Sequence, residues 1–296
     1  MQNIIFHSDD YGINLPSSQY ILDCHEQGAL NRLAILANSP NFSSCCELLT
    51  PYVRSGSIDI SVHLNLVEGK SLSKADQLSI LTDQDGYFCC SFESLLMKSL
   101  SSQRRQLRQE IKNELSLQIQ RVQDAFPDAL IGLDSHQHFH MIPLVFEVVL
   151  EIVGEKSMDV PYIRVSGEPL MPFITTPSIW CHIKPINVIK NMLLNFFSLY
   201  NDPKLRSMGI STNIFWGLMF SGDMNLHIVS KLMTKFQAIA QRRGLPLEVL
   251  SHPCPIPRAE DCLDPRKKDF VAFYTSKGRE DEAIMLKNIS SVFHAR

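Results

Sequence analysis

The chain has 296 residues, of which 45% are hydrophobic and 20% are charged. Its 31 acidic and 28 basic side chains leave a formal net charge of −3. This composition excludes a collagen-like or intrinsically disordered chain, because neither holds enough apolar side chains to build a core. The small negative charge gives no attraction to a phosphate backbone, so we expect no nucleic-acid partner.

The eight cysteines include two adjacent pairs, Cys45-Cys46 and Cys89-Cys90, and none is spaced as Cys-x-x-Cys. The pattern therefore indicates neither a zinc ribbon nor a redox motif. The first residues lack the basic and long apolar regions of a secretory signal. We expect a cytoplasmic protein with reduced thiols and, because no stretch is long and apolar enough, no transmembrane segment.

The first apolar run, residues 4–6, stops at the sequence Ser-Asp-Asp-Tyr-Gly of residues 8–12. This pattern predicts a buried strand with two carboxylates at its carboxyl end. A helix is predicted next, ending near Gly28. A strand over residues 33–36 and a helix over residues 40–52 follow, so strand and helix begin to alternate.

Apolar and polar side chains alternate over residues 58–66, which predicts a third strand with His63 on its polar face. Residues 67–100 have few periodic runs and predict an extended loop or small hairpin over one end of the fold. From residue 101 onwards, apolar side chains recur at helical spacing until Pro127 ends the helix.

Residues 130–133 form the next apolar run and lead into the sequence Asp-Ser-His-Gln-His-Phe-His of residues 134–140. Helical spacing over residues 145–153 and a strand-like run over residues 161–165 come next. Residues 169–223 contain five prolines and predict an insertion that holds one amphipathic helix.

A helix is predicted over residues 226–243, and the strand predicted over residues 247–252 ends on His252. Strands that alternate with helices and carry reactive groups at their carboxyl ends are typical of an α/β fold with a parallel barrel.

Three of the ten histidines, at positions 136, 138 and 140, lie within five residues beside Asp134. Imidazole and carboxylate groups are natural ligands for a divalent ion, and a catalytic site typically supplies three of them. Asp10, His63 and one histidine of the cluster would make such a set. Alternatively, His138 and His140 only cap the backbone or form hydrogen bonds.

Asp9 and Asp10 are adjacent carboxylates that repel each other unless a cation or a donor offsets their charge. With a metal ion present, one of them could bind the ion while the other takes a proton from water. The alternative is a simple turn, because Asp-Asp-Tyr-Gly is also a favourable turn sequence.

Four segments resemble, in this order and spacing, the YdjC-like carbohydrate deacetylases, which include chitooligosaccharide deacetylase and hopanoid-associated members. They are residues 8–12, 61–66 (Ser-Val-His-Leu-Asn-Leu), 134–140 and 251–253 (Ser-His-Pro). The resemblance runs essentially from end to end of the chain. It implies a distorted TIM-like (β/α) barrel in a single domain over residues 1–296, and a metal-dependent hydrolase that removes an N-acetyl group from an amino sugar.

Carried over position by position, the resemblance implies Asp10, His63 and His136 as metal ligands, Asp9 as general base and His252 as general acid. One divalent ion is implied; this ligand set suits zinc, and magnesium, manganese and cobalt remain open. The candidates for substrate binding are Arg164, Glu168, His138 and His140. Arg164 and Glu168 could instead buttress Asp9 or form a structural ion pair.

The sequence departs from the family pattern at two places. His7-Ser8 stands where family members commonly have Asn-Ala, and Cys254 follows the His-Pro pair where they have a small residue. Neither change removes a proposed ligand, but each can reshape the pocket. In the sequence Phe-Trp-Gly-Leu of residues 215–218, an aromatic ring either stacks on a sugar or belongs to the core.

The expected partner is an N-acetylated sugar, either free or lipid-linked. The apolar helix predicted at residues 186–200 packs on the barrel or in a homodimer, or it touches a membrane surface. Two other functions compete with deacetylation. One is a metal-dependent phosphoesterase, disfavoured because no Lys or Arg lies inside the motifs; the other is a non-catalytic sugar-binding protein.

Overall fold

The computed structural model describes residues 4–156 and 158–294, with side chains described up to residue 290. Six strands form one sheet in which every pairing is parallel. They are β1 (Ile4–Tyr11), β2 (Arg32–Ile35), β3 (Asp59–Leu64), β4 (Ile131–Ser135), β5 (Ile214–Trp216) and β6 (Leu247–Ser251). Their order across the sheet is β4-β3-β2-β1-β6-β5.

Ten α-helices surround the sheet within the described residues. They are α1 (Leu15–Glu26), α2 (Phe42–Arg54), α3 (Phe92–Ser99), α4 (Arg104–Ala125), α5 (Pro143–Glu155), α6 (Met171–Ile174), α7 (Pro185–Ser207), α8 (Leu226–Arg243), α9 (Lys268–Tyr274) and α10 (Gly278–His294). None of the helices in this part of the chain combines the length and apolar character needed to cross a membrane.

The two edge strands, β4 and β5, are joined by a short extended segment. Ile163 forms a parallel bridge with Leu133 of β4, and Tyr162 forms one with Ser211, three residues before β5. The segment predicted as a strand over residues 161–165 therefore forms only one isolated bridge on each side, and not a regular strand. The sheet closes into a distorted barrel, which confirms the predicted α/β barrel-like fold class.

Side chains on both faces of these strands are buried, one face pointing into the barrel and the other packing against the helices, as expected for a parallel sheet covered by helices. Phe215 and Trp216 of β5 are completely buried, and the Trp216 ring stacks on Phe236 of α8 with 4.4 Å between ring centroids. Both aromatic side chains therefore belong to the core.

Hydrogen bonds to buried carboxylates of α4 hold the loop over residues 67–100 against the barrel. Glu114 accepts hydrogen bonds from the backbone amides of Leu72 and Ser73, at 3.0 and 2.9 Å. Two antiparallel bridges and α3 complete this loop. The predicted insertion over residues 169–223 holds α6, α7 and also β5, so its last residues enter the sheet.

Closure of the barrel depends on the absence of a side chain at Gly132. A Cβ atom there would lie 2.0 Å from the buried Tyr162 ring. We predict that Gly132→Ala lowers the free energy of unfolding by about 1–3 kcal/mol, because the ring must shift in a packed interior. Urea unfolding measures this change.

Gly154→Ala in α5 is the matched control, since the nearest atom to its added Cβ would be 3.9 Å away. This variant should be as stable as the original chain or up to about 1 kcal/mol more stable, as alanine favours helix. Equal stability of the two variants would contradict the role of Gly132.

Candidate metal and catalytic site

A bulge at the end of β1 brings two adjacent carboxylates to the same side of the strand. The pairing of β1 with β2 shifts register between Ser8 and Tyr11, and Asp10 has a left-handed backbone with φ of 65°. In a regular strand, neighbouring side chains point to opposite faces. The bulge instead lets Asp9 and Asp10 approach the same cluster of histidines.

Asp10, His63 and His136 converge at the carboxyl ends of β1, β3 and β4. The Asp10 Oδ1 atom lies 3.5 Å from His63 Nε2 and 3.1 Å from His136 Nδ1. One ligand atom from each residue lies within 4.8 Å of the other two. Atoms that share a tetrahedral zinc ion are typically about 3.4 Å apart, so these spacings fit a common divalent ion.

Two of these atoms lack hydrogen-bond partners although they are buried. They are Asp10 Oδ1 and His63 Nε2, both on side chains about 1% exposed. An unsatisfied buried polar atom is costly, and a metal ion is one partner that removes the cost. The donor set and its unpaired atoms therefore fit the ion that the sequence implies.

Asp134 fixes the orientation of the His63 ring by binding the ring nitrogen that faces away from Asp10. Its Nδ1 atom lies 2.6 Å from Asp134 Oδ1, and the other oxygen of Asp134 accepts a hydrogen bond from Ser61 at 2.5 Å. A carboxylate behind a histidine commonly fixes which ring nitrogen faces a metal. Burial lowers the pKa of His63, but Asp9, Asp10 and Asp134 raise it to about 10, so their charges favour a cation here.

His136 is held by a carboxylate that our sequence analysis missed. Glu68 Oε2 lies 3.1 Å from His136 Nε2 and accepts a hydrogen bond of 2.7 Å from the Tyr274 hydroxyl. The Phe270 ring of α9 stacks on the imidazole. Glu68 lies two residues after the His63 motif, at the start of the predicted loop, where no local sequence pattern marks it as part of a site.

Asp10 also receives a hydrogen bond of 3.1 Å from Arg279 of α10, a second residue missed in the sequence. Burial raises the pKa of Asp10, but the nearby imidazoles of His136 and His63 and the charge of Arg279 together hold it well below its usual range. Asp10 is therefore a carboxylate, the form that binds a metal ion.

The carboxylate of Asp9 forms an ion pair with the completely buried guanidinium of Arg164. Arg164 donates to both carboxylate oxygens of Asp9, at 3.0 and 2.9 Å, and its Nε atom donates to Glu248 at 2.7 Å. Such a bidentate pair fixes the plane of the carboxylate. The neighbouring carboxylates raise the pKa of Arg164 well above its usual value despite burial.

A second group of possible ligands lies next to the first. His7, Asp9 and Asp134 also place ligand atoms within 4.8 Å of one another. The Arg164 Nη2 atom, however, lies 2.9 Å from Asp9 and 3.6 Å from Asp134. The guanidinium already supplies the positive charge in this group, which disfavours a second metal ion there.

His252 lies across the site from the three candidate metal ligands. Its Nε2 atom is 4.0 Å from Asp9 Oδ2, and the same oxygen is 3.9 Å from His63 Nε2. The His252 backbone amide donates to Glu282 of α10, whose carboxylate is also 3.7 Å from His252 Nδ1. Asp9 therefore lies between the three candidate ligands and His252.

The other two histidines of the cluster, His138 and His140, do not join the group of Asp10, His63 and His136. His140 Nε2 donates to the Arg164 carbonyl at 2.8 Å, and its Nδ1 lies 2.6 Å from the Ser135 hydroxyl. Burial lowers the pKa of His140 to about 4. His138 contacts the Ser166 hydroxyl at 3.0 Å and is 8% exposed.

Glu168 is completely buried and forms its hydrogen bonds with α7 and with the turn after β5. It accepts hydrogen bonds from the backbone amides of residues 217–219 and from Asn191 of α7. Burial raises the pKa of Glu168 to about 7 in spite of these four donors. Its contacts tie α7 to the turn that follows β5.

A family model described as YdjC-like protein matches residues 3–287 of the chain. The chain belongs to the YdjC-like family. The family resemblance drawn from the four motifs is thereby confirmed. The matched region contains all the residues that converge at the site of this YdjC-like protein.

Curated relatives include the carbohydrate deacetylase of Danio rerio, 28% identical over 173 residues, or 57% of this chain and 51% of the relative. The chitooligosaccharide deacetylase of Proteus mirabilis is 24% identical over 165 residues, covering 56% and 60%. A carbohydrate deacetylase of Listeria monocytogenes is 31% identical over 145 residues, covering 49% and 54%. The chain thus spans about half the length of these relatives or slightly more.

A solved structure from Enterococcus faecalis V583 has a similar fold, with a TM-score of 0.66 and 17% identity. The similarity covers 99% of this chain and 94% of that one. That protein carries a provisional description as a cellobiose-phosphate cleavage protein. At this identity the similarity supports the fold alone.

We predict that His140→Gln reduces the loss of stability in acid. Unfolded His140 binds a proton near its ordinary pKa of about 6.5, whereas the folded residue does so only near 4. Its neutral form therefore stabilises the fold fully above the unfolded pKa, and this stability is lost as the pH falls towards 4. Between about pH 7.5 and pH 5 the wild type should lose about 2 kcal/mol more than the variant.

Urea unfolding at the two pH values measures this difference. The exposed His227 provides the control, because His227→Gln should leave the acid-induced loss unchanged. If His140→Gln loses as much stability as the original chain, His140 is not held neutral.

Proposed function

We propose that this YdjC-like protein hydrolyses the N-acetyl group of an amino sugar, releasing acetate and a free amine. The observation that carries the proposal is the convergence of Asp10, His63 and His136, with unpaired buried ligand atoms, beside Asp9 and His252. This arrangement offers a metal site, a proton acceptor and a proton donor on one side of the barrel.

We propose that Asp10, His63 and His136 hold one divalent ion. When bound, such an ion polarises the acetamide carbonyl and lowers the pKa of water. Two nitrogen ligands and one oxygen ligand suit zinc, and magnesium, manganese and cobalt stay open because availability also decides the metal.

Asp9 serves in this proposal as the general base. Its Oδ2 atom faces both His63 and His252, so it accepts a proton from the water that attacks the acetamide carbon. Arg164 supports this role as a positioning residue, since its two hydrogen bonds keep the carboxylate plane fixed.

His252 serves as the general acid. Its Nε2 atom donates a proton to the amine nitrogen as the carbon–nitrogen bond breaks, because an unprotonated amine is a poor leaving group. Glu282 orients the ring through the His252 backbone amide and a carboxylate oxygen near Nδ1.

Among the remaining candidates, His138 is the one we propose for substrate contact, because it is buried but not sealed off from solvent. Arg164, Glu168 and His140 are 1% exposed or less. We propose that these three are positioning residues. Arg164 orients Asp9, and His140 holds the backbone of Arg164 in place. Glu168 holds the turn after β5 in place.

The substrate and setting are also proposals. The names of the relatives support a carbohydrate substrate, such as a chitooligosaccharide, and a lipid-linked sugar is the further possibility. A cytoplasmic location agrees with eight cysteines that are all free of disulfides. Pocket shape decides the sugar, so a panel of N-acetylated chitooligosaccharides, assayed for acetate release, is the direct test.

We predict that Asp9→Asn lowers kcat for acetate release by about 10²- to 10⁴-fold, the usual contribution of a general base. The amide keeps the shape of the side chain but accepts no proton. Metal content, measured by elemental analysis, should stay the same because the three ligands are intact.

The control is Asp128→Asn, an exposed aspartate between α4 and β4, which should leave kcat unchanged. An Asp9→Asn variant that keeps its metal and the original rate would overturn the role of Asp9. Phosphate release from an aryl phosphate, with no acetate from any sugar, would instead favour the phosphoesterase, and binding without turnover would favour a sugar-binding protein.

A further inference from the structure

The inner face of α7 buries asparagines together with the apolar side chains of Leu194, Phe197 and Leu205, and its outer face is apolar as well. Inside, Asn191 and Asn195 donate to Glu168, and Asn201 donates to the Met141 carbonyl. Outside lie six large apolar side chains, which we call the outer stripe. They are Ile186 (54% exposed), Ile189 (62%), Met192 (62%), Phe196 (67%), Leu199 (76%) and Tyr200 (46%). A surface helix usually presents charged and polar side chains to solvent, so an apolar outer face in addition to a covered inner face is unusual.

The outer stripe is large enough for a stable interface. At about 200 Å² for each whole side chain, these exposed fractions leave on the order of 700 Å² of apolar surface. Monomeric proteins rarely expose apolar patches beyond a few hundred Å². A standard interface buries about 800 Å² on each partner, so the stripe matches one side of it.

The spacing of the stripe favours a helix as partner. Ile189, Met192, Phe196 and Leu199 follow one another at intervals of three, four and three residues. This is the repeat by which two helices interlock side chains along a common seam. The side chains at these four positions are all uncharged, so the stripe is compatible with a copy of itself related by a two-fold axis.

The charges around the stripe disfavour an anionic membrane. Lys184, Lys204 and Arg206 lie on or beside α7, and each pairs with a carboxylate, on Asp223, Glu147 and Asp202 respectively. Lys190, which is exposed on α7, forms no ion pair within the described residues, so one basic side chain of the four is left uncompensated. Helices that bind lipid surfaces rely instead on surplus basic residues beside the apolar face.

We infer that the outer stripe of α7 is a homodimer interface, in which α7 of one copy packs against α7 of a second copy. The inference does not depend on the proposed deacetylase activity, because the stripe lies on the face of α7 opposite its contacts with Glu168. It identifies the surface through which the chain pairs with itself.

Sedimentation velocity of the full chain tests this inference. We expect a species of about 67 kDa, twice the 33.6 kDa of one chain, over most of the range from about 1 to 100 µM. Leu199→Glu should weaken self-association on the order of 100-fold, since it places like charges at the seam. Leu100→Glu is the matched control, because Leu100 is 79% exposed at the end of α3, and it should leave the dimer intact.

Circular dichroism and thermal melting establish that each variant is folded, and Met192→Glu serves as a second variant if Leu199→Glu is not. A chain that is monomeric at about 100 µM, or a dimer unaffected by both stripe variants, contradicts the inference. Binding of a monomeric chain to phosphatidylglycerol vesicles that Leu199→Glu abolishes would also overturn it, in favour of a membrane surface.

Discussion

The site depends on one local departure from regular strand geometry. Asp9 and Asp10 are neighbours in β1, and a regular strand would send their carboxylates to opposite faces. The register shift against β2 and the positive φ of Asp10 bring both carboxylates to the same group of histidines. Backbone strain of this kind persists only where the surroundings hold it. Arg164 and Arg279 do so here, each bonding one of the two carboxylates.

The second constraint is charge. Six buried carboxylates and two buried guanidinium groups surround the site: Asp9, Asp10, Glu68, Asp134, Glu248 and Glu282, with Arg164 and Arg279. Buried charges are tolerated only when they are paired. The raised pKa of His63, despite burial, expresses the excess of negative charge around the ligands. The divalent ion proposed at Asp10, His63 and His136 would relieve this excess, whereas Arg164 relieves it next to Asp9.

Much of the fold and of the site could be predicted from the sequence. Apolar runs that end in polar residues predicted the strands that carry Asp10 and His63 and the strand that His252 directly follows, and parallel strands bring such ends to one edge. The bulge could not be predicted, because register depends on the partner strand. Glu68, Arg279 and Glu282 were missed, since no local pattern marks a residue that reaches the site from a loop or from α10. The two bridges that replace the strand predicted over residues 161–165 depend likewise on distant pairing.

Anomalous X-ray diffraction from crystals of the zinc-loaded chain tests the central claim most directly. The account predicts one strong peak within about 2.3 Å of Asp10, His63 and His136 together. A peak among His7, Asp9 and Asp134 would contradict it. Zinc bound at another place on the chain, with no peak near Asp10, would contradict it as well.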